Sequence, residues 1–174
     1  MSDTCSDPQA STWGGIEWSG WHDFAPAVSG RLIPATTGLY RFRDAASEGL
    51  LYIGESGARR GRRSRLGALY RGMNRHSAEY YLNWEGLARR PHRGHYAAPY
   101  LRQCQDAGCK IEVSWSLPEF PDKAERRQKE HELIVAHRRV VGADPPVQHG
   151  GEGTAAFVER LSRSRAAESG PRCA

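Results

Sequence analysis

Two tyrosines stand beside glycines in the stretch TGLYRFRDAASEGLLYIGES, residues 37 to 56, with eleven residues between Tyr40 and Tyr52. A tyrosine on a strand ordinarily supplies packing, with its hydroxyl at the sheet edge. The same hydroxyl is a latent base: with a pKa of about 10, roughly 0.3% of it is ionised near pH 7.5. A cation held close by would raise that fraction. Arginine supplies the candidate cations, since lysine occurs only at 110, 123 and 129 while arginines crowd residues 59 to 75. Planar guanidinium groups favour bidentate contact with phosphate and carboxylate. Arginine is also what a GC-rich genome writes into any surface, so the clustering, more than the net charge of +5, points toward nucleic acid.

A second set of reactive side chains is less orderly. His92, His95, Cys104 and Cys109 form an H-x2-H and a C-x4-C pair separated by eight residues. Neither their order nor their gaps match a common zinc module, so zinc is disfavoured. The simpler reading is a basic loop that carries the histidines, then a helix and a turn that each bury one reduced thiol. Cys5 and Cys173 lie near the ends of the chain, which is a poor framework for disulfides.

The elements that would position these residues follow from periodicity. GLYRFR alternates, DAASEG breaks the run, and LLYIG is short, apolar and closed by glycine, which together read as a β-hairpin. SRLGALYRGM repeats apolar residues at Leu66, Leu69, Tyr70 and Met73, a helical spacing with Ser64 at its start. AEYYLNWEGLA is a candidate short helix, and RRPHRGH a basic loop. YAAPYLRQCQDAG reads as a helix ending at Gly108, and KIEVSWSL alternates as a half-buried strand. From Pro121 to about Val141 lies the clearest helix, with acids early and arginines late. TAAFVERLSRS forms a last helix. The expectation is an α+β domain in the order β-β-α-α-β-α, with a small three-stranded, mainly antiparallel sheet flanked by helices.

At 174 residues the chain fits one domain. Residues 13–163 are expected to form it, with mobile tails at 1–12 and 164–174. Trp13, Trp18 and Trp21 lie in a flap at 13–30, read as a cover for the core and, as the sharper alternative, as a platform for stacking on bases. Residues 71–95 read as an insertion. Mean hydropathy is −0.69, and no apolar run reaches the roughly 18 residues of a membrane span. The N-terminus lacks the pattern of a secretory signal, so a cytoplasmic location of bacterial type is expected.

In order and spacing, residues 37 to 150 resemble the GIY-YIG nuclease family. Its two named strands stand here as Gly38-Leu39-Tyr40 and Tyr52-Ile53-Gly54. Members follow the second strand with a helix bearing an arginine next to a leucine, as in Arg65-Leu66. A later helix carries a metal-binding glutamate three and four residues before an apolar pair, the position of Glu130 before Leu133-Ile134. A proline-containing loop then brings an asparagine three residues after a proline, where this chain has Pro145 and Gln148. There are departures. Leu39 replaces isoleucine without consequence, and Gln148 adds a methylene to the amide. Arg65 lies eleven residues after Gly54 where many members need about eight, so Arg62 is its rival.

The resemblance implies hydrolysis of a phosphodiester. Glu130 would hold Mg²⁺, with Mn²⁺ as the alternative ion, to serve the departing 3′ oxygen. Read without the motif, Glu130 is a solvated acid paired with Arg126 or Arg127; Glu132, two residues on, points elsewhere. Tyr52 is the candidate general base, Tyr40 its support or a contact to the scissile phosphate, and Arg65 the stabiliser of phosphate charge. Arg62, His95 and Gln148 are expected phosphate or substrate contacts; His76 and His149 have weaker claims. The expected function is a compact Mg²⁺-dependent DNA endonuclease, with restriction or defence as its context and a homodimer or sequential nicking for double-strand cleavage. The alternative is a non-catalytic nucleic-acid-binding module that retains the fold.

Overall fold

The hairpin that carries both tyrosines is the centre of the sheet. In the computed structural model, which describes residues 7–47, 49–57, 61–75 and 97–168, β4 (Gly38–Asp44) pairs antiparallel with β5 (Leu50–Ser56). On its other side β4 pairs with β6 (Ile111–Trp115), and β6 with the short β3 (His22–Asp23), again antiparallel. The order is therefore β3-β6-β4-β5, and β1 (Thr12–Trp13) and β2 (Ile16–Glu17) make a separate two-stranded sheet. The expectation of a single three-stranded sheet is corrected on both points. Two-residue strands are too short to show the alternation that betrays a strand.

Both faces of the sheet are covered. Tyr40 and Phe42 enter one layer with Phe24, Leu66, Leu69, Tyr100, Leu101 and Val113. Leu39 faces the opposite layer with Trp13, Trp18, Leu50, Ile53 and Leu133. The first layer is closed by α1 (Phe24–Ser29), α2 (Gly61–Arg75) and α3 (Ala98–Asp106), and α4 (Lys123–Val141) lies against β5 over the second. The last described helix is α5 (Gly151–Glu168), which packs on α3. Register slips between Phe42 and Arg43, and at this bulge both Leu51 and Tyr52 join the first layer, which strict alternation forbids.

Local chemistry sets the bounds of α4. Asp122 caps its start by accepting the Glu125 N–H at 2.8 Å, Arg138 and Arg139 occupy its last turn, and Gly142 ends it in the left-handed conformation at φ 85°. Those are the stop and start signals that its sequence announces.

The tryptophan segment is a cover, as the simpler of its two readings has it. Trp13 and Trp18 are 1% and 2% exposed, leaving no free face for a base. The buried guanidinium of Arg41 lies beside them, 4.3 Å from the Trp18 ring centroid, 4.7 Å from that of Trp21 and 6.0 Å from that of Trp13. Arg41 also donates to the carbonyls of Pro8 and Ala10, and Arg43 donates to Gln9 Oε1 at 2.6 Å. Residues 7–12, expected within a mobile tail, are therefore fastened to the central strand. At the other end α5 extends four residues past the start of the expected C-terminal tail at 164.

Candidate active site

Register brings the tyrosines together. Tyr40 pairs with Gly54 and Phe42 with Tyr52, so both phenols share a face, with ring centroids 6.2 Å apart. The glycine between them is required by close approach. A Cβ on Gly54 would lie 2.6 Å from Tyr40 Oη and 2.7 Å from Tyr52 Cε1, distances no side chain sustains. Tyr40 is fully buried and Tyr52 retains 8% exposure. Burial pushes the Tyr40 phenol well above its ordinary pKa, and the neighbouring Tyr52 adds to the effect. Tyr40 therefore stays protonated, whereas Tyr52 is the phenol with access to solvent.

The two rival arginines separate cleanly. Arg62 turns inward from the first turn of α2: Nε donates to Thr36 O at 3.3 Å and Nη2 to Thr36 Oγ1 at 2.6 Å. Its Nη1 donates to both the carbonyl and the hydroxyl of Ser116. Burial lowers its pKa, and its donors, expected to meet phosphate, are directed to Thr36 and Ser116. Arg65, nearly one turn on, is half-buried and hydrogen-bonds the Tyr40 side chain. Within the long spacing after Gly54, Arg62 and Arg63 fasten the start of α2 to the segment Ile33 to Thr36.

Glu130 projects from α4 into the same neighbourhood. Its carboxyl is pushed up to about 7, first by burial and then by the nearby Glu55, against the pull of Arg127 and Arg65. It also acts electrostatically on Tyr40. Glu132 lies outside this group. It is exposed, accepts from Gln128 and Lys129 at 3.0 and 3.1 Å, and its pKa is lowered by those bonds. Four elements, β4, β5, α2 and α4, thereby contribute Tyr40, Tyr52, Arg65 and Glu130 to one cluster.

Gln148 has a different place from the one expected of it. Its Oε1 accepts the Ile53 backbone N–H at 3.0 Å, beside a bond from Val147 N–H to Leu51 O, also at 3.0 Å. That oxygen is bound to the edge of β5. His149 is exposed and 3.0 Å from Asp144 Oδ2. His95 and His76, like most of the insertion, lie outside the described residues.

Glu55 escaped the sequence reading, and Arg126 entered it only as a partner for Glu130, whereas the structure pairs it with Glu55. Arg126 Nε donates to Glu55 Oε2 at 2.9 Å. The available signal was spacing, since Arg126 precedes Glu130 by one helical turn and Glu55 immediately follows Gly54.

The Glu130 carboxylate suits a hard cation. Mg²⁺ commonly takes one or two carboxylates and completes its shell with water and phosphate oxygens, and Glu55 beside Glu130 is held by Arg126. Among the described residues no group of three or more His, Cys, Asp or Glu side chains is arranged to hold a metal. Cys104 and Cys109 are both buried; their side chains hydrogen-bond each other, which with burial raises the Cys104 thiol. His92 and His95, the other residues of the zinc reading, lie outside the described residues.

No protein-family model matches the chain, and no curated protein or solved structure matches it.

Proposed function

We propose that this chain is a Mg²⁺-dependent phosphodiesterase of the GIY-YIG type that acts on DNA as an endonuclease. The observation that carries the reading is convergence: a buried phenol, a partly accessible phenol, an arginine and a glutamate reach one place from four separate elements. Packing alone gives no reason to desolvate Glu130 beside Glu55, because the charge of a buried carboxylate is costly. A site that takes up a cation does.

In this reading Tyr52 removes the proton from the attacking water, and Arg65 meets the negative charge that grows on the phosphate oxygens. Tyr40, which stays protonated, holds Arg65 by its hydrogen bond and keeps the guanidinium aimed. Glu130 provides the carboxylate for the metal, whose bound charge would stabilise the departing 3′ oxygen. Gln148 keeps the β5 edge, and with it Tyr52, in register.

The test is digestion of supercoiled plasmid and of single-stranded DNA, with Mg²⁺ or with EDTA, by wild type, Glu130→Ala and Tyr52→Phe. Cleavage that needs Mg²⁺ and is lost in both variants supports the reading. Cleavage surviving both substitutions sinks the mechanism, and salt-sensitive binding without cleavage assigns the chain to the binding-module class instead. The ratio of nicked to linear product tells sequential nicking from paired action by two copies.

A further inference from the structure

Arg126 has no part in the chemistry above, yet it is one of the most deeply committed cations of the molecule, at 3% side-chain exposure. Besides Glu55, it donates through Nη1 to the carbonyls of Phe120 and Pro121, each at 2.7 Å. Its Nη2 lies against Gly57, where a Cβ would come within 3.1 Å. One guanidinium therefore joins the end of β5, the turn that leaves β5, and the segment that enters α4. Glu130 follows on the same helical face one turn later. Further along that face Leu133 is buried in the second layer, and His137 Nε2 accepts the Leu50 N–H at 3.0 Å. Helix α4 is thus attached to both ends of β5, and Glu130 sits between the attachments. An apolar contact would hold the helix without the cost of burying charge, whereas a guanidinium fork fixes angle as well as distance.

We propose that Glu55 and Arg126 are a positioning pair that sets where the Glu130 carboxylate stands against Tyr52 and Arg65, and hence how tightly the site takes its divalent ion. The inference rests on Glu130 being the metal ligand. With Arg126 removed, Glu55 is left unpaired beside Glu130 and free to turn; with Glu55 removed, Arg126 keeps its carbonyl bonds but loses its hold on the strand.

The test uses the full chain as wild type, Glu55→Gln, Arg126→Lys, Arg126→Met, the double variant Glu55→Gln/Arg126→Met, and Glu130→Gln. Three readouts are taken: Mn²⁺ affinity from the electron spin resonance of the free ion, melting temperature, and kcat and KM on a short duplex. Glu55→Gln should melt near wild type and Arg126→Lys, which cannot reproduce the fork, below it; both should bind Mn²⁺ about tenfold more weakly and lose at least about tenfold in kcat with little change in KM. The double variant should lose no more than the worse single one. Should Arg126→Met not fold, the two conservative variants carry the result alone. Wild-type Mn²⁺ affinity in both conservative variants, while Glu130→Gln loses the ion, overturns the pair and leaves the parent reading standing. Equal Mn²⁺ binding by wild type and Glu130→Gln overturns the parent reading, and the pair with it.

Discussion

In the proposed site Glu130 would meet opposite demands from stability and from metal binding. Its carboxyl is raised from 4.5 to about 7, so between those values the folded chain keeps a proton that the unfolded chain has released. Stability from this group is therefore lost as pH rises through that window. Glu130→Gln should raise the melting temperature at pH 8, by about 1 to 3 kcal/mol of stability, and leave it nearly unchanged at pH 4 while cleavage is abolished. Thermal melts at the two pH values check this, and destabilisation at pH 8 would contradict it. A proton on Glu130 also competes with metal, so Mn²⁺ affinity should increase as pH rises through about 7. The tyrosines should separate by role. Tyr52→Phe removes the proposed base and should cost at least about a hundredfold in kcat, whereas Tyr40→Phe loosens Arg65 and should cost less.

At the scale of elements, the β4–β5 hairpin depends on Gly54 as much as on the tyrosines. Gly54→Ala would force a methyl between the two rings, which should destabilise the fold by about 1 to 3 kcal/mol and reduce cleavage at least tenfold. Denaturant unfolding with activity on the same sample measures both. His137 ties α4 to β5 as a neutral ring: Nε2 must accept from Leu50 N–H, so Nδ1 carries the proton shared with Ala143 O at 2.8 Å. Burial lowers its pKa. The unfolded chain then binds a proton first as pH falls below about 6.5, and stability from His137 is lost in that direction. Because Glu130 acts oppositely over much of the same range, the acid loss should be clearest in the Glu130→Gln background. There, melts between pH 7 and 5 should fall steadily, and His137→Gln should flatten them.

The hairpin and α4 were legible because alternation and caps are local, whereas Tyr40 and Glu130, far apart in sequence, were joined only through the family resemblance. Which arginine enters the site was not, since Arg62 is claimed by Thr36 and Ser116, residues far from it in sequence. The role of Gln148 was hidden for the same reason, its partner being a backbone N–H on β5. The fourth strand was hidden because two residues are too few to show alternation, and the fastening of residues 7–12 depends on Arg41, whose place against three tryptophans no periodicity announces.

For the whole molecule, the N-terminal segment is part of the structure that holds the central strand β4. Removing residues 1–10 would strip Arg41 of two carbonyl acceptors and leave buried donors unpaired, at a cost on the order of 2 to 5 kcal/mol. A melt of the shortened chain should show that loss, and an unchanged melting temperature would mean that the segment is dispensable. The central claim concerns convergence, that Tyr52 and Glu130 from different elements serve one reaction. Its most direct test is single-turnover cleavage of a short duplex in Mg²⁺ by wild type, Tyr52→Phe, Glu130→Gln and the double variant. Groups acting at one phosphate should each cost at least about a hundredfold, with the double variant little worse than the poorer single one. Wild-type rates in either single variant would contradict the account.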